Sequence, residues 1–481
     1  MLNCEKITEY CENTIRKIQG KVFFAGIGGI SMSAIAEYLL KRGVDVCGYD
    51  ANRSEICDRL SSKGVKISYE FSEEMYDGIS LAVFTNAIHE SDPVYAYPKA
   101  KGIKCISRAE MLGFISLEKK NRVGIAGTHG KSSTTGMLSS ISLTADRDPS
   151  IFVGAELSMI NGTHRDGMGE DFIFEACEYM DSFLSFFPTI SVVLNTELDH
   201  VDYFGNLENV IRSFSKYINI PGEKGYALVN GDCVNSLKAS ENAVSKVVTF
   251  SVKDKNASFF ADNIREEKGF YSFDIYAFGS FLTDVSLSVP GEVYVADALA
   301  AAGCAYLMGI DGKYVKEGLN AYTGVKRRFE LRGKCNNAAV VDDYAHHPDE
   351  IRTTLNTART MGFDNIVCVF QPHTYTRTQA LFNDFTDAFK NCDRVIYADI
   401  YSARELPIEG ITSEALAAAS EKGEYYPSFE KIADVLKGSG KFPENTLIII
   451  MGAGSIVKLT DMLLTEKHSS FSELKMGRGC K

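Results

Sequence analysis

The chain has 481 residues, 45% hydrophobic and 24% charged, with a formal net charge of −12. That length exceeds what one core serves and points to roughly two to four domains, while the acidic balance argues against general affinity for nucleic acid or anionic membranes. Twelve scattered cysteines with no CxxC pair fit reduced, buried thiols better than a disulfide framework or a zinc site. The first twenty residues lack the apolar core of a signal peptide, and no apolar run approaches the ~20 residues of a membrane span. The expectation is a cytoplasmic protein without membrane insertion, a monomer or homodimer.

In chain order, KVFFAG (21–26) predicts a first strand and SMSAIAEYLLKRG (31–43) its crossover helix, closed by Gly43. VDVCGYD (44–50) is a second strand and LAVFTNAI (81–88) a later one. The intervening AGIGGISMS (25–33) approximates a dinucleotide fingerprint, with Gly26, Gly28 and an acid, Asp50, at the end of the next strand. Ser31 stands at the third glycine position and Gly29 is an added glycine. The stretch is better evidence for a pyrophosphate on a helix N-terminus than for NAD, and a ligand-free tight turn stays open.

The charged link SLEKKNR (116–122) marks the first boundary. The strand VGIAG (123–127) then runs into GTHGKSS (127–133) and a helix. A strict Walker loop needs glycine at 125, which is isoleucine. The order strand, glycine-rich turn, Lys131, Ser132 still suits an anion site, with Lys131 on the β/γ-phosphates and the Ser132 hydroxyl on Mg²⁺. EACEYMDSF (175–183) and NTELDHVDYF (195–204) follow strands DFIFEAC (171–177) and ISVVLNT (190–196), which places acids and a histidine at strand C-terminal ends. Glu178 and His200 are candidate ligands for Mg²⁺ or Mn²⁺, with phosphate oxygens and water completing the shell. Asp199 and Asp202 read as helix caps.

Residues 225–290 have antiparallel character, and an alanine-rich helix follows at 295–309. The second boundary falls at GVKRRFELRG (324–333), where Arg327 reads as part of a solvated linker. AAVVDDY, NIVCVFQP, RVIYADIY and TLIIIMGAG then alternate with helical segments as a third α/β domain, ending in a loosely held polar tail after about 466. DDYAHHPDEI (342–351) and FQPHTYTRT (370–378) gather His, Tyr, Asp and Arg at strand ends, and Arg377 is the natural partner for a carboxylate.

In order and spacing, GTHGKSST, EACEYMDSF, NTELDH, RRFE, DDYAHHPDE and FQPHTYTRT resemble the Mur ligases, over roughly residues 20 to 460. The THGK loop and the GIGG loop point to the alanine-adding member. The resemblance implies an α/β protein of three domains. An N-terminal Rossmann-like domain (1–117) would bind the UDP-sugar, a central P-loop-type mononucleotide-binding domain (118–325) ATP, and a C-terminal Rossmann-like domain (326–481) would close over both. The implied reaction is ATP-driven amide formation between UDP-N-acetylmuramate and L-alanine through an acyl phosphate. By the same resemblance, Gly127, Thr128, His129, Gly130, Lys131, Ser132, Ser133, Asn195, Arg328 and Asp343 bind ATP. Gly26, Gly28, Gly29, Ser31, Asp50 and Asn86 hold the UDP-sugar, and Tyr344, His346 and Arg377 the amino acid. Ser132, Glu178 and His200 take the metal, and Lys131, Glu178, His200, His346 and Arg377 carry the chemistry. His129 is expected to meet the sugar carboxylate.

Three departures stand out. Val293, Tyr294 and Asp297 occupy the places of a His and two Asn that meet adenine elsewhere in the family, Thr374 replaces a second arginine, and TNAI (85–88) replaces Ser-Ser-Ala-Ile. The competing readings are a related muramyl-peptide ligase of the same fold, an NAD-dependent oxidoreductase and, from the altered stretch at 291–300, a catalytically weak or regulatory binding protein.

Overall fold

The computed structural model describes residues 20–85, 88–403, 405–467 and 471. Two compact units divide the chain: one comprises residues up to Asn263 with Phe273–Val285 and Val295–Tyr322, the other Ile264–Ser272, Ser286–Tyr294 and residues from Thr323 onward.

The first unit holds a five-stranded sheet in the order Lys66–Ser68, Val46–Tyr49, Lys21–Ala25, Ile79–Phe84, Lys104–Ser107, parallel throughout. The apolar run at 21–25 forms its central strand, buried on both faces as parallel strands are. Helix Ile30–Lys41 crosses over it with residues 32–39 buried. Asn121–Ala126 lies inside a second sheet of ten strands, between Ile190–Val193 and Asp171–Glu175, parallel to both. Chain order reverses at this strand, so a crevice opens at its C-terminal end. One hydrophobic core runs through both sheets, from Val22, Phe24 and Ile35 to Phe172, Phe174 and Tyr217.

The link at 116–122 is therefore not a free tether. Lys119 Nζ donates to the carbonyls of Gly167 (2.6 Å) and Gly169 (2.7 Å), and Arg122 Nε to that of Phe187 (2.6 Å). Residues 225–290 also differ from expectation in their first part. Tyr226–Asn230 and Lys246–Ser251 pair in parallel and continue the main sheet. Antiparallel geometry starts only at Phe259–Glu267, where two-residue turns at Lys268–Gly269 (φ 52° and 80°) and Phe278–Gly279 (φ 49° and 77°) join consecutive strands as hairpins.

The second unit contains a seven-stranded sheet ordered Gly423–Tyr425, Arg394–Tyr397, Asn365–Phe370, Thr446–Met451, Ala338–Asp343, Glu330–Cys335, Glu466–Lys467. Glu330–Cys335 runs antiparallel to both of its neighbours, and the other strands pair in parallel. The C-terminal ends of Ala338–Asp343, Asn365–Phe370 and Thr446–Met451 lie side by side.

Candidate functional site

At the crevice of the ten-stranded sheet the glycine-rich loop is held from both sides. Gly130, in the left-handed region at φ 84°, caps the N-terminus of helix Lys131–Thr144. A Cβ there would meet Asp297 Oδ1 at 2.6 Å. Gly130→Ala thus combines a left-handed alanine, costing about 1–2 kcal/mol, with a clash. We expect a lower Tm and a raised KM for ATP, measured by calorimetry and initial rates. Asn195 clamps the peptide of His129: its Oδ1 accepts the His129 N–H (2.7 Å) and its Nδ2 donates to the His129 carbonyl (3.1 Å). Glu197 N–H donates to Thr128 Oγ1 (3.0 Å), and His129 Nε2 lies 3.6 Å from Glu197 Oε2. Ser133 is buried in the first helical turn.

Lys131 folds back over this loop. Its ammonium donates to the carbonyls of Gly127 and Thr128 and to both carboxylate oxygens of Glu178, at 3.2 and 3.0 Å. Burial works against the ammonium, but the neighbouring acids, Glu178 foremost, outweigh it and raise its pKa. Glu178 is itself 2% exposed. His200 Nε2 stands 3.8 Å from Glu178 Oε1, with its ring against Tyr179 at 4.5 Å. Met180, Asp181 and His200, none of them glycine, all have φ near +50°. Backbone strain of this kind persists where the surroundings over-determine it. Asp181 helps do so by accepting from Ser213 Oγ and Tyr203 Oη.

Glu175, which sequence reasoning passed over, receives Ser132 Oγ (2.7 Å) and Gly154 N–H (2.9 Å) on one oxygen. Ser132 therefore donates its proton and keeps its lone pairs for a cation. Among the described residues no group of three or more His, Cys, Asp and Glu converges as a metal cage. The donors Glu178, His200 and Ser132 suit a hard divalent ion only as a partial shell, completed by phosphate oxygens and water.

In the five-stranded sheet, Gly26 turns at φ 82° and Gly28 N–H donates to Asp50 Oδ2 (2.8 Å). Asp50 also accepts Asn52 N–H (3.1 Å), so its carboxylate shapes the glycine loop. Gly29 begins helix Ile30–Lys41 without a side-chain cap. Ser31 Oγ accepts a hydrogen bond from Arg108 Nη1 at 3.0 Å. Asn86 lies outside the described residues.

In the second unit, Asp343 receives Phe329 N–H (2.8 Å) and Ala345 N–H (2.7 Å), one on each oxygen, which ties the entry segment to its strand. Burial raises its pKa despite Arg328 nearby. Arg328 lies over the Tyr344 ring at 5.1 Å and 3.8 Å from Glu350. Arg327 is no solvated linker residue. Its guanidinium donates to the Gly452 carbonyl and sits 4.9 Å from the Tyr344 ring, because a left-handed turn at φ 61° aims it inward.

His346 Nδ1 faces the Tyr344 carbonyl at 3.1 Å and Glu350 at 3.3 Å. Donation from Nδ1 leaves the Nε2 lone pair available as a base. Burial lowers the pKa of His346 and Arg377 adds to the effect, against Glu350. His373, named only within its motif by sequence reasoning, lies 5.9 Å from His346 and stacks on Tyr401 at 5.5 Å. Its Nδ1 is buried with no hydrogen-bond partner among the described residues. Burial first, then the charges of His346 and Arg377, push its pKa down from 6.5 to about 4. The folded state thus binds fewer protons than the unfolded chain. Its contribution to stability is complete above pH 6.5 and is lost as the pH falls through about 4. Discounted for partial exposure, the loss is on the order of 2 kcal/mol. Urea titrations across that range should show it in the wild type and show it reduced in His373→Gln.

Comparison with known proteins agrees with this architecture. Profiles described as Mur ligase family catalytic domain, Mur ligase middle domain and Mur ligase glutamate ligase domain match residues 21–120, 125–305 and 327–454. The chain is 43% identical over 452 residues to the UDP-N-acetylmuramate–L-alanine ligase of Acetivibrio thermocellus, covering 93% of this chain and 96% of that one. It is 42% identical to the enzyme of that name from Agathobacter rectalis, over 92% and 97% of the two chains. The solved UDP-N-acetylmuramate–alanine ligase of Thermotoga maritima superposes with a TM-score of 0.76 at 26% identity, over 92% of this chain and 98% of that one. A strand-end glycine-rich loop, a buried Lys–Glu pair and similarity over 93% of the chain together place it in the Mur ligase family.

Proposed function

We propose that the protein is a cytoplasmic, ATP-dependent ligase of peptidoglycan precursor synthesis that joins L-alanine to the lactyl carboxylate of UDP-N-acetylmuramate. The observation that carries this reading is the meeting of Lys131, Glu178 and His200 beside the phosphate loop, in a chain similar end to end to ligases of that name.

The ammonium of Lys131 donates to both carboxylate oxygens of Glu178. The β/γ-phosphates of ATP, at the N-terminus of helix Lys131–Thr144, replace Glu178 as its partner. Glu178, His200 and Ser132 are then the residues that would hold Mg²⁺, which when bound neutralises phosphate charge and draws the lactyl carboxylate toward the γ-phosphate. A carboxylate oxygen forms a bond to the γ-phosphorus and ADP leaves with the electrons of the broken P–O bond. The alanine nitrogen then attacks the acyl carbon and inorganic phosphate departs with the C–O electron pair. Arg377 holds the alanine carboxylate by a two-pronged contact. His346 Nε2 accepts the proton that becomes acidic as the C–N bond forms. The Asp343 clamp keeps Arg328 and Tyr344 in place for the nucleotide.

An isotope experiment tests the chemistry. With the lactyl carboxylate labelled with oxygen-18, one labelled oxygen should emerge in the inorganic phosphate. Unlabelled phosphate released alongside the alanyl product would rule out the acyl phosphate.

A further inference from the structure

Two residues of the entry segment in the second unit, Arg327 and Phe329, have left-handed backbones (φ 61° and 47°), and neither is glycine. Phe329 spends its N–H on the Asp343 carboxylate. Arg327 makes a different set of contacts. Its carbonyl accepts the Tyr344 N–H at 2.7 Å, and its own N–H donates to Glu330 Oε2 at 2.8 Å. Its guanidinium crosses to the glycine turn after strand Thr446–Met451, where Nη2 donates to the carbonyls of Gly452 and Gly454. That turn is a firm anchor. Gly452 N–H donates to the Asp343 carbonyl (3.1 Å), and Ile456 N–H to Gln371 Oε1 (3.0 Å).

Arg327 thus grips Tyr344 twice, at its N–H and at its ring, which lies 4.9 Å from the guanidinium. Tyr344 in turn presents its carbonyl to His346 Nδ1 at 3.1 Å. Glu350 is the other acceptor near Nδ1, at 3.3 Å, and Arg328, Arg377 and His373 are the further charged or titratable neighbours. The Nε of Arg327 is buried with no hydrogen-bond partner among the described residues. An unpaired buried N–H and a left-handed arginine both oppose folding, and such costs collect at functional sites.

Resting on the reading of His346 as the base for the alanine amine, we propose that Arg327 is a positioning residue, fixing the Tyr344 carbonyl so that His346 keeps its proton on Nδ1 and its lone pair on Nε2. The left-handed turn aims the Arg327 carbonyl at Tyr344. The guanidinium, tied to the glycine turn, keeps that turn from relaxing. An imidazole accepts a proton only at its bare nitrogen, so the tautomer decides whether the amine proton has an acceptor.

Two substitutions separate this role from packing. Arg327→Met keeps bulk, removes every donor and disfavours a left-handed backbone. Arg327→Gly removes donors and bulk alike, yet adopts a positive φ freely. The first readout is the nitrogen NMR of His346 in histidine-labelled, substrate-free protein at about pH 8, where a neutral ring shows which nitrogen carries the proton. His346→Gln assigns the signal. The second readout is single-turnover addition of alanine.

The wild type should show Nδ1–H. Arg327→Met should add a population with Nε2–H and slow amine attack by about 10- to 100-fold, a partial loss of what a general base supplies, with hydroxamate trapping of the acyl phosphate unchanged. Arg327→Gly, the larger truncation, should stay closer to the wild type in both readouts. Arg327→Ala, also averse to a positive φ, repeats the comparison should the methionine variant not fold. A glycine variant no better than the methionine one, or one tautomer shared by all the proteins, would mean that Arg327 acts by packing and overturn the proposal. A wild type carrying Nε2–H overturns it too. A wild type that makes no alanyl product overturns the ligase reading instead, while the substrate-free tautomer comparison still decides whether Arg327 sets the His346 proton.

Discussion

Lys131→Ala is expected to lower kcat by about 10²–10³-fold, the scale for removing one preorganised electrostatic contact to a developing charge. The same substitution should strongly destabilise the nucleotide-free protein. Glu178 is 2% exposed and Lys131 is its ion-pair partner. Removing one member of such a pair strands the other charge, at about 3–5 kcal/mol. A second change separates the two effects. Adding Glu178→Gln to Lys131→Ala removes the stranded charge, so Tm should recover most of its loss while kcat stays low or falls further. Calorimetry and steady-state rates on the four corners of the double-mutant cycle make the comparison. Recovery of activity together with stability would mean that Lys131 serves only to neutralise Glu178.

His346→Gln is expected to lower kcat by about 10²–10⁴-fold, the range for a lost general base, with little change in the KM of ATP. The loss should fall on amine attack. Formation of acyl phosphate, trapped by hydroxylamine as the hydroxamate, should persist. In the wild type, kcat/KM for alanine should fall on the acid side as His346 Nε2 takes up a proton. Because burial lowers that pKa, the limb lies below the ordinary histidine value of 6.5. The Gln variant should lose the limb. An unchanged acid limb would assign it to another group, and His373 is the neighbour to examine next.

These residues differ in how openly the sequence declares them. Gly127–Ser132, Glu178 and His200 were legible because a parallel strand delivers its next few residues to one end of the sheet, so local order alone brings them to the crevice. Asn195 and Asp50 were legible by position only. Their side chains hold loop backbone, a fact decided by where two strand ends meet. Arg327 misled because a basic pair at a boundary looks solvated, whereas a left-handed turn aims it at carbonyls 125 and 127 residues away. Glu175 showed only as one acid of a strand-end motif, and Arg108 left no local signal. A carboxylate one strand across from Ser132, and an arginine enclosed 77 residues from Ser31, acquire their roles only through tertiary packing. The antiparallel segment was placed too early because the two-residue turns begin only after residue 267. In the third sheet, His373 was visible in its motif, but its burial beside His346 and Tyr401 depends on three strand ends at once.

The most direct test of the central claim is phosphate release from ATP and Mg²⁺ by the purified protein with UDP-N-acetylmuramate, with and without L-alanine, L-serine, glycine and a muramyl tripeptide. The account predicts release that requires both the sugar nucleotide and an amino acid, fastest with L-alanine, with one alanyl product formed per phosphate. Release driven by the tripeptide and not by L-alanine, or release indifferent to the sugar nucleotide, would contradict it.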